Sequence, residues 1–336
     1  MKAIQFHQDS SEPGSAREVE LPTPSPEGHD LLVQVEAVGL NPVDYKVRPK
    51  DGEAPKTLGF DAAGIVAAVG DSASLFKKGE LVYYAGDVTR PGSNAEYQLV
   101  DERIVGKRPT SLDATTSAAL PLTALTAWES LFHRLDIDFD SAASNTGKTL
   151  LIIGGAGGVG SIAIQLAKLA GLTVIATASR EESAAWCRKL GADHIINHHG
   201  DMPAQLRDLG FENADYIANF NEIDRVWEAM GEIIAPQGGL VLITDHRSHL
   251  SLSGAFKKKS VSICWEFMFT RSMFNTDDIM EQHHILNRVA ELIDDGKLLA
   301  TANDNLSPIT AENILEGHRR LESGTSIGKL TVSGWG

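Results

Sequence analysis

Gly155-Ala156-Gly157-Gly158-Val159-Gly160 places glycine at the first, third and sixth positions of a short run. That spacing alone is common. Here Thr149 to Ile153 before it reads as a buried strand and Ser161 to Ala170 after it as a helix. In that setting the glycines have separate jobs: a tight turn, close approach of the backbone to a pyrophosphate, and close helix–strand packing. The helix N-terminus adds N–H groups and a positive dipole end that suit phosphate. Gly155, Gly157, Gly158, Val159 and Gly160 are therefore the first candidate cofactor-binding residues.

A second apolar strand, Thr173 to Thr177, runs into Ala178-Ser179-Arg180. Dinucleotide folds that take NAD place an acidic residue at this point, about 20 positions past the glycines. No carboxylate occurs here before Glu181. Ser179 can instead hydrogen-bond a 2′-phosphate, and Arg180 can pair with it through its planar charged fork. The expected cofactor is NADP. The plainer reading has Ser179 capping the next helix and Arg180 merely exposed.

The elements around these residues change style along the chain. Only three of the 13 prolines, Pro203, Pro236 and Pro308, lie beyond Pro121. Before Pro121, Asp30 to Val38 alternates apolar and polar, and Ala62 to Val69 is small and β-branched. Leu81 to Tyr84 and Ala95 to Val100 follow the turn at Lys77-Lys78-Gly79-Glu80. Short strands between Gly and Pro turns suggest a compact, barrel-like β domain. After Pro121 strands and helices alternate: a helix over Leu122 to Leu135, then, beyond the glycine turn, a helix over Glu181 to Leu190. A strand at His194 to Asn197, another at Asp215 to Asn219, a helix over Val226 to Ile234, and strands at Leu240 to Thr244 and Ser260 to Trp265 complete the run. That alternation predicts an α/β, doubly wound parallel sheet. From about Phe267 come a helix (Ile279 to Asp294), a Gly-Lys turn and a strand, Gly328 to Val332. The expected division is residues 122–267 as nucleotide domain, with 1–121 and 268–336 as substrate domain.

Composition excludes several classes. The net charge of −15 disfavours nucleic acid. The basic run Lys257-Lys258-Lys259 is too short to reverse it. Two isolated cysteines, Cys187 and Cys264, supply no disulfide framework and fit a reducing cytoplasm. The N-terminal stretch turns polar after a few residues, unlike a secretory leader. No window approaches 18 uninterrupted apolar residues, so no membrane span is expected.

The whole chain resembles the medium-chain dehydrogenase/reductase superfamily, in its branch of zinc-independent quinone oxidoreductases. The marks are Gly39-Leu40-Asn41-Pro42-Val43-Asp44-Tyr45, Leu58-Gly59-Phe60-Asp61-Ala62-Ala63-Gly64, Leu120 to Trp128 (LPLTALTAW), the glycine-rich turn, Leu190-Gly191-Ala192-Asp193 and Gly328-Lys329-Leu330. The resemblance implies a Rossmann domain inserted into a GroES-like β-barrel-type substrate domain. It adds Thr126 and Lys329 to the cofactor-binding set. Related reductases often carry a tyrosine after the Ile-Asn of the third strand. Here Ile196-Asn197 is followed by His198, a candidate third contact to the 2′-phosphate, since a nearby anion favours the charged imidazole.

Zinc members use a Cys shortly after the glycine matching Gly39, and a Gly-His-Glu. This chain has Asn41-Pro42 and Gly59-Phe60-Asp61. A catalytic zinc needs three protein ligands, so no metal is expected. The pairs His198-His199, His283-His284 and His246/His249 read as ordinary surface histidines. Without a Lewis acid a quinone or α,β-unsaturated carbonyl is the easier hydride acceptor, because attack gives a delocalised enolate or phenolate. Tyr45 is the candidate hydrogen-bond donor, with Asn41 expected near the nicotinamide and Asp44 in the same segment. For all three the alternative is turn chemistry around Pro42. The expected protein is a cytoplasmic NADPH-dependent reductase acting on a small carbonyl or quinone. It is expected to be a homodimer paired through the edge strand Ser260 to Trp265. A zinc-type alcohol dehydrogenase with displaced ligands and a non-catalytic NADPH-binding protein are the competing readings.

Overall fold

The computed structural model describes residues 1–8, 11–12 and 15–336. Residues 9, 10, 13 and 14, within the polar N-terminal stretch considered above, lie outside the described residues. The chain divides into two compact units: Met1–Leu125 with Met268–Gly336, and Thr126–Phe267.

The Thr126–Phe267 unit is built on a six-stranded parallel sheet. In chain order its strands are Thr149–Ile153, Thr173–Thr177, His194–Ile196, Ala214–Asn219, Ile234–Leu242 and Ser262–Trp265. Across the sheet the third comes first, then the second, first, fourth, fifth and sixth. This is the Rossmann order, and ligands bind beyond the carboxyl ends of the strands where it reverses, between the first and fourth. The first strand is buried at all five positions, as a central strand covered on both faces must be. Gly158–Leu169, Glu181–Lys189, Met202–Asp208 and Trp227–Ile233 are helices of the crossovers. Ser262–Trp265 is the outer strand, beside Ile234–Leu242 alone.

Two elements differ from the sequence pattern. The helix read over Leu122 to Leu135 is regular over Pro121–Trp128 and then widens into a π-helical turn, Glu129–Arg134. The fifth strand starts at Ile234 rather than Leu240. Ala214 pairs with Ile234 and, after a bulge, Tyr216 with Gly239, so the turn at Pro236-Gln237 is bypassed inside one strand.

In the other unit, Asp30–Gly39 is the spine. It pairs antiparallel with Lys329–Ser333, Ala62–Val69 and Tyr97–Asp101 along different parts of its length. Register shifts after Leu32 and Val35 bend it, which is how bulges curl a sheet toward closure. Leu81–Tyr84, Val105–Lys107 and Ala302–Leu306 complete seven strands. A smaller sheet joins Ala16–Glu20, Lys2–Phe6 and Lys56–Thr57. Ile4, Phe6, Leu31, Val33, Val35, Val38 and Val332 fill the core between these strands. The sequence pattern missed the helix Ala311–Glu322, whose buried face is Ile314, Leu315, Gly317 and His318. Its signals were present: Ile314, Leu315, His318 and Leu321 repeat at helical spacing, and Thr310 caps it by accepting from the Asn313 amide at 3.2 Å.

Candidate functional site

The glycine turn joins the first strand to the helix Gly158–Leu169. Gly157 is the N-cap residue, with no side-chain cap hydrogen bond. Gly158 and Val159 open the first helical turn. The Gly155 amide donates to Thr177 O at 3.3 Å and the Gly154 amide to Thr177 Oγ1 at 3.0 Å. Thr177, absent from the sequence candidates, thus anchors the turn to the second strand. Its signal was only its place at the strand end.

Gly157 and Gly160 are glycine for different reasons. A Cβ on Gly160 would lie 2.2 Å from Gly154 O and 2.7 Å from Gly155 Cα, inside the helix–turn contact. A Cβ on Gly157 would meet only Gly154 O, at 3.5 Å, an ordinary contact. The fold itself therefore does not require glycine at 157, and the space beside that peptide is open. The cradle fits a pyrophosphate. Gly160→Ala is expected to cost about 1–3 kcal/mol of stability, the usual range for overpacking. It should also weaken dinucleotide binding by about tenfold or more. Thermal melts and a cofactor titration check both, and an unchanged variant would mean the turn relaxes freely.

Ser179 and Arg180 stand exposed just past the second strand. The plainer reading of Ser179 as helix cap does not hold: the N-cap of Glu181–Lys189 is Arg180. Its amide donates to Ser183 Oγ at 3.2 Å, and Ser183 Oγ donates back to Arg180 O at 2.8 Å. His198 is half-buried, its ring 4.3 Å from that of His199. Burial, then the charges of His199 and Arg225, push its pKa down, so the unliganded protein favours the neutral ring. A nearby anion would favour the charged ring instead.

In the other unit the structure joins Asn41, Asp44 and Lys329 to a residue outside the candidate set, Asp61. Asn41 is 1% exposed. Its Nδ2 donates to Phe60 O at 3.1 Å and Asp61 Oδ2 at 2.8 Å. The Lys329 ammonium donates to Leu40 O (2.8 Å), Asn41 Oδ1 (2.6 Å) and Asp61 Oδ2 (2.8 Å). The Leu122 amide, at the start of the helix Pro121–Trp128, donates to Asp61 Oδ1 at 2.7 Å. Asp44 Oδ2 accepts from the Asn41 amide at 2.7 Å, and its Oδ1 has no partner among the described residues. Burial pushes both carboxyls up, Asp44 to about 7. Asp61 is the better-supplied acceptor, so of the two it ionises more readily opposite Lys329, while Asp44 holds its proton up to about pH 7.

The hydrogen bonds of Asn41 and Asp44 turn into the unit's interior. Lys329 has an acceptor for each ammonium proton within the same unit. Tyr45 lies apart from the network. Its half-buried ring packs edge-on against His318 at 6.4 Å, with the Arg48 guanidinium 5.8 Å from its centre. Burial and the Glu322 carboxylate raise its pKa against the pull of Arg48, which keeps the hydroxyl protonated. Arg48 is itself held by Glu322 Oε1 at 2.7 Å and His318 Nδ1 at 2.8 Å. Thr126 is buried.

A family model described as Alcohol dehydrogenase GroES-like domain matches residues 27–110, and one described as Zinc-binding dehydrogenase matches residues 158–281. A Staphylococcus epidermidis protein named zinc-type alcohol dehydrogenase-like protein is 41% identical over 337 residues, 99% of each chain. The chain belongs to the medium-chain dehydrogenase/reductase superfamily. A solved structure from Rhizobium etli CFN 42, described as a zinc-dependent alcohol dehydrogenase protein, matches it with TM-score 0.93 at 46% identity, over 100% of this chain and 98% of that one. A quinone oxidoreductase from Coxiella burnetii gives TM-score 0.80 at 26% identity, over 100% and 99%. As a member of this superfamily, of the kind that includes zinc-type alcohol dehydrogenase-like proteins and quinone oxidoreductases, the protein is an oxidoreductase. Its residues do not fit a catalytic zinc. Phe60 is an apolar ring where the ligand histidine would stand, and no group of three or more His, Cys, Asp or Glu that could hold a metal occurs among the described residues. No helix among them is long and apolar enough to cross a membrane.

Proposed function

We propose that the protein is an NADPH-dependent reductase that delivers hydride to a quinone or an α,β-unsaturated carbonyl without a metal. One observation carries the cofactor choice: the second strand ends in exposed Ser179 and Arg180, with no carboxylate to meet a ribose 2′-hydroxyl. The N-terminus of Gly158–Leu169 would hold the pyrophosphate, and Ser179, Arg180 and His198 the 2′-phosphate. Bound there, NADPH supplies the hydride. The acceptor class follows from the residues. With Phe60 at the ligand position and Lys329 engaged in the interior, neither offers strong stabilisation to a localised alkoxide. A delocalised enolate or phenolate needs little beyond alignment and a hydrogen-bond donor.

Tyr45 is that donor in this reading. Its hydroxyl has no hydrogen bond among the described residues and stays protonated. Tyr45→Phe is expected to lower kcat about 100-fold, at the low end of proton-transfer catalysis, and to leave NADPH affinity unchanged. An unaffected kcat would assign the proton to water. The reading as a whole is tested by following NADPH oxidation with quinones, enones and aldehydes. Turnover of simple alcohols alone, or none with any acceptor, would reject it.

The assembly reading also belongs here. Ser262–Trp265 offers its free edge, with Trp265 50% and Phe267 47% exposed beside it. An exposed apolar edge pairs readily with its own two-fold copy. The expected particle at micromolar concentration contains two chains, and light scattering that returns a monomer would overturn this.

A further inference from the structure

Tyr45 lies on the short helix Pro42–Lys46, and just beyond it Arg48 is only 4% exposed. A guanidinium keeps its charge when buried, so its partners fix where that charge sits. Nη1 of Arg48 donates to Glu322 Oε1 at 2.7 Å and Nη2 to His318 Nδ1 at 2.8 Å, both residues being on the helix Ala311–Glu322. Burial, then the Arg48 charge, pushes the His318 pKa down to about 3, so the imidazole is neutral and can accept that bond. The neutral ring stacks on Phe6, with centres 5.2 Å apart and planes 16° from parallel. So clamped, the guanidinium carbon lies 5.7 Å from the centre of the Phe6 ring and 5.8 Å from that of Tyr45, within cation–π range of both. Two charges therefore act on the Tyr45 hydroxyl in opposite senses: the Glu322 carboxylate disfavours its ionised form and the Arg48 guanidinium favours it.

We propose that Arg48 is a positioning residue for the reaction: clamped by Glu322 and His318, it fixes where the Tyr45 ring lies and stabilises the tyrosinate left when Tyr45 Oη gives up its proton. The inference rests on the reading of Tyr45 as donor. In that step the Tyr45 O–H bond breaks, the enolate or phenolate formed by hydride attack takes the proton, and water restores the tyrosine. Arg48 acts through the ring alone.

The test uses the full chain carrying fluorotyrosine, with the Tyr45 fluorine resonance identified by its loss in Tyr45→Phe. The first readout is the ionisation of Tyr45, followed by NMR without cofactor or substrate. Arg48→Met, neutral and of similar length, should move that ionisation to higher pH, and Glu322→Gln should move it to lower pH. Loss of a merely structural clamp gives no such opposite movement. Arg48→Met should also lower kcat about tenfold while NADPH affinity and the acceptor KM change less than about twofold. Arg48→Lys, which keeps the charge, should recover part of that kcat, and in a Tyr45→Phe background Arg48→Met should lower it no further. An ionisation unmoved by either variant, or moved the same way by both, would overturn the proposal, as would an Arg48→Met protein with the parent's kcat. Tyr45→Phe with the parent's kcat would remove the donor reading and this inference with it, and the titration tells that failure from the absence of an Arg48 effect. If Arg48→Met does not fold, Glu322→Gln, whose carboxylate is 32% exposed, decides alone: movement to lower pH supports the proposal and no movement overturns it.

Discussion

Relative to the parent protein, an Asp44→Asn variant is expected to gain up to about 4 kcal/mol of stability as pH rises from about 4 to about 7. Asp44 is 0% exposed, and burial pushes its carboxyl from 3.8 to about 7 against the opposing effects of the Asn41 amide and Lys329. Between those two values the unfolded chain has released the proton and the folded chain has kept it. The unfolded state then binds fewer protons, so the parent's stability falls with pH, by about 1.4 kcal/mol per pH unit for one such group. The favourable effect of the neutral folded carboxyl is complete below 3.8 and is lost as pH climbs to about 7. Above that both states are ionised and the slope ends. Asparagine is neutral throughout and can still accept from the Asn41 amide. Carboxylates lowered by their hydrogen bonds, such as Asp294 at about 2, act in the opposite sense at acid pH. They are common to both proteins, so the difference between the two isolates Asp44. Urea unfolding at several pH values measures it. Parallel stability curves for parent and variant would mean that Asp44 is ionised in the folded protein.

Arg180→Ala is expected to weaken NADPH binding by roughly 10- to 150-fold while leaving NADH affinity nearly unchanged. The range follows from about 1.5–3 kcal/mol for a charge-assisted hydrogen bond. Only NADPH carries the 2′-phosphate, which the proposed reading pairs with the guanidinium of Arg180, exposed at the head of Glu181–Lys189. The helix should survive, because the capping bonds run through the Arg180 backbone and Ser183 Oγ, which alanine preserves. Titration of both cofactors by fluorescence or calorimetry checks the split. Equal losses for NADH and NADPH, or a parent protein that prefers NADH, would refute the assignment of Ser179 and Arg180 to the 2′-phosphate.

The glycine turn, the buried strands flanking it, and the change from proline-punctuated alternation to alternating strands and helices were all legible in the amino-acid sequence. These are local signals, written into spacing over a few residues, and they were enough for the doubly wound sheet, while the superfamily came from the resemblance of motifs along the whole chain. Boundaries slipped where a tertiary partner intervened, as when pairing of Ala214 with Ile234 drew the fifth strand back from Leu240. The roles of Asn41, Asp44, Tyr45 and Lys329 were not legible. One short segment supplies Asn41, Asp44 and Tyr45, and nothing in its spacing says which side chain turns inward. That was decided by Lys329, 288 residues away, which reaches Asn41 Oδ1 only because its strand pairs beside Gly39. Once that cation is buried, Asp61 must face it and Asn41 must brace both. Tyr45 packs instead toward His318, on the helix Ala311–Glu322 that the sequence pattern had not revealed. Sequence periodicity fixes which residues form an element. The direction of a polar side chain is set by long-range charge pairing in the interior, and only the assembled fold shows it.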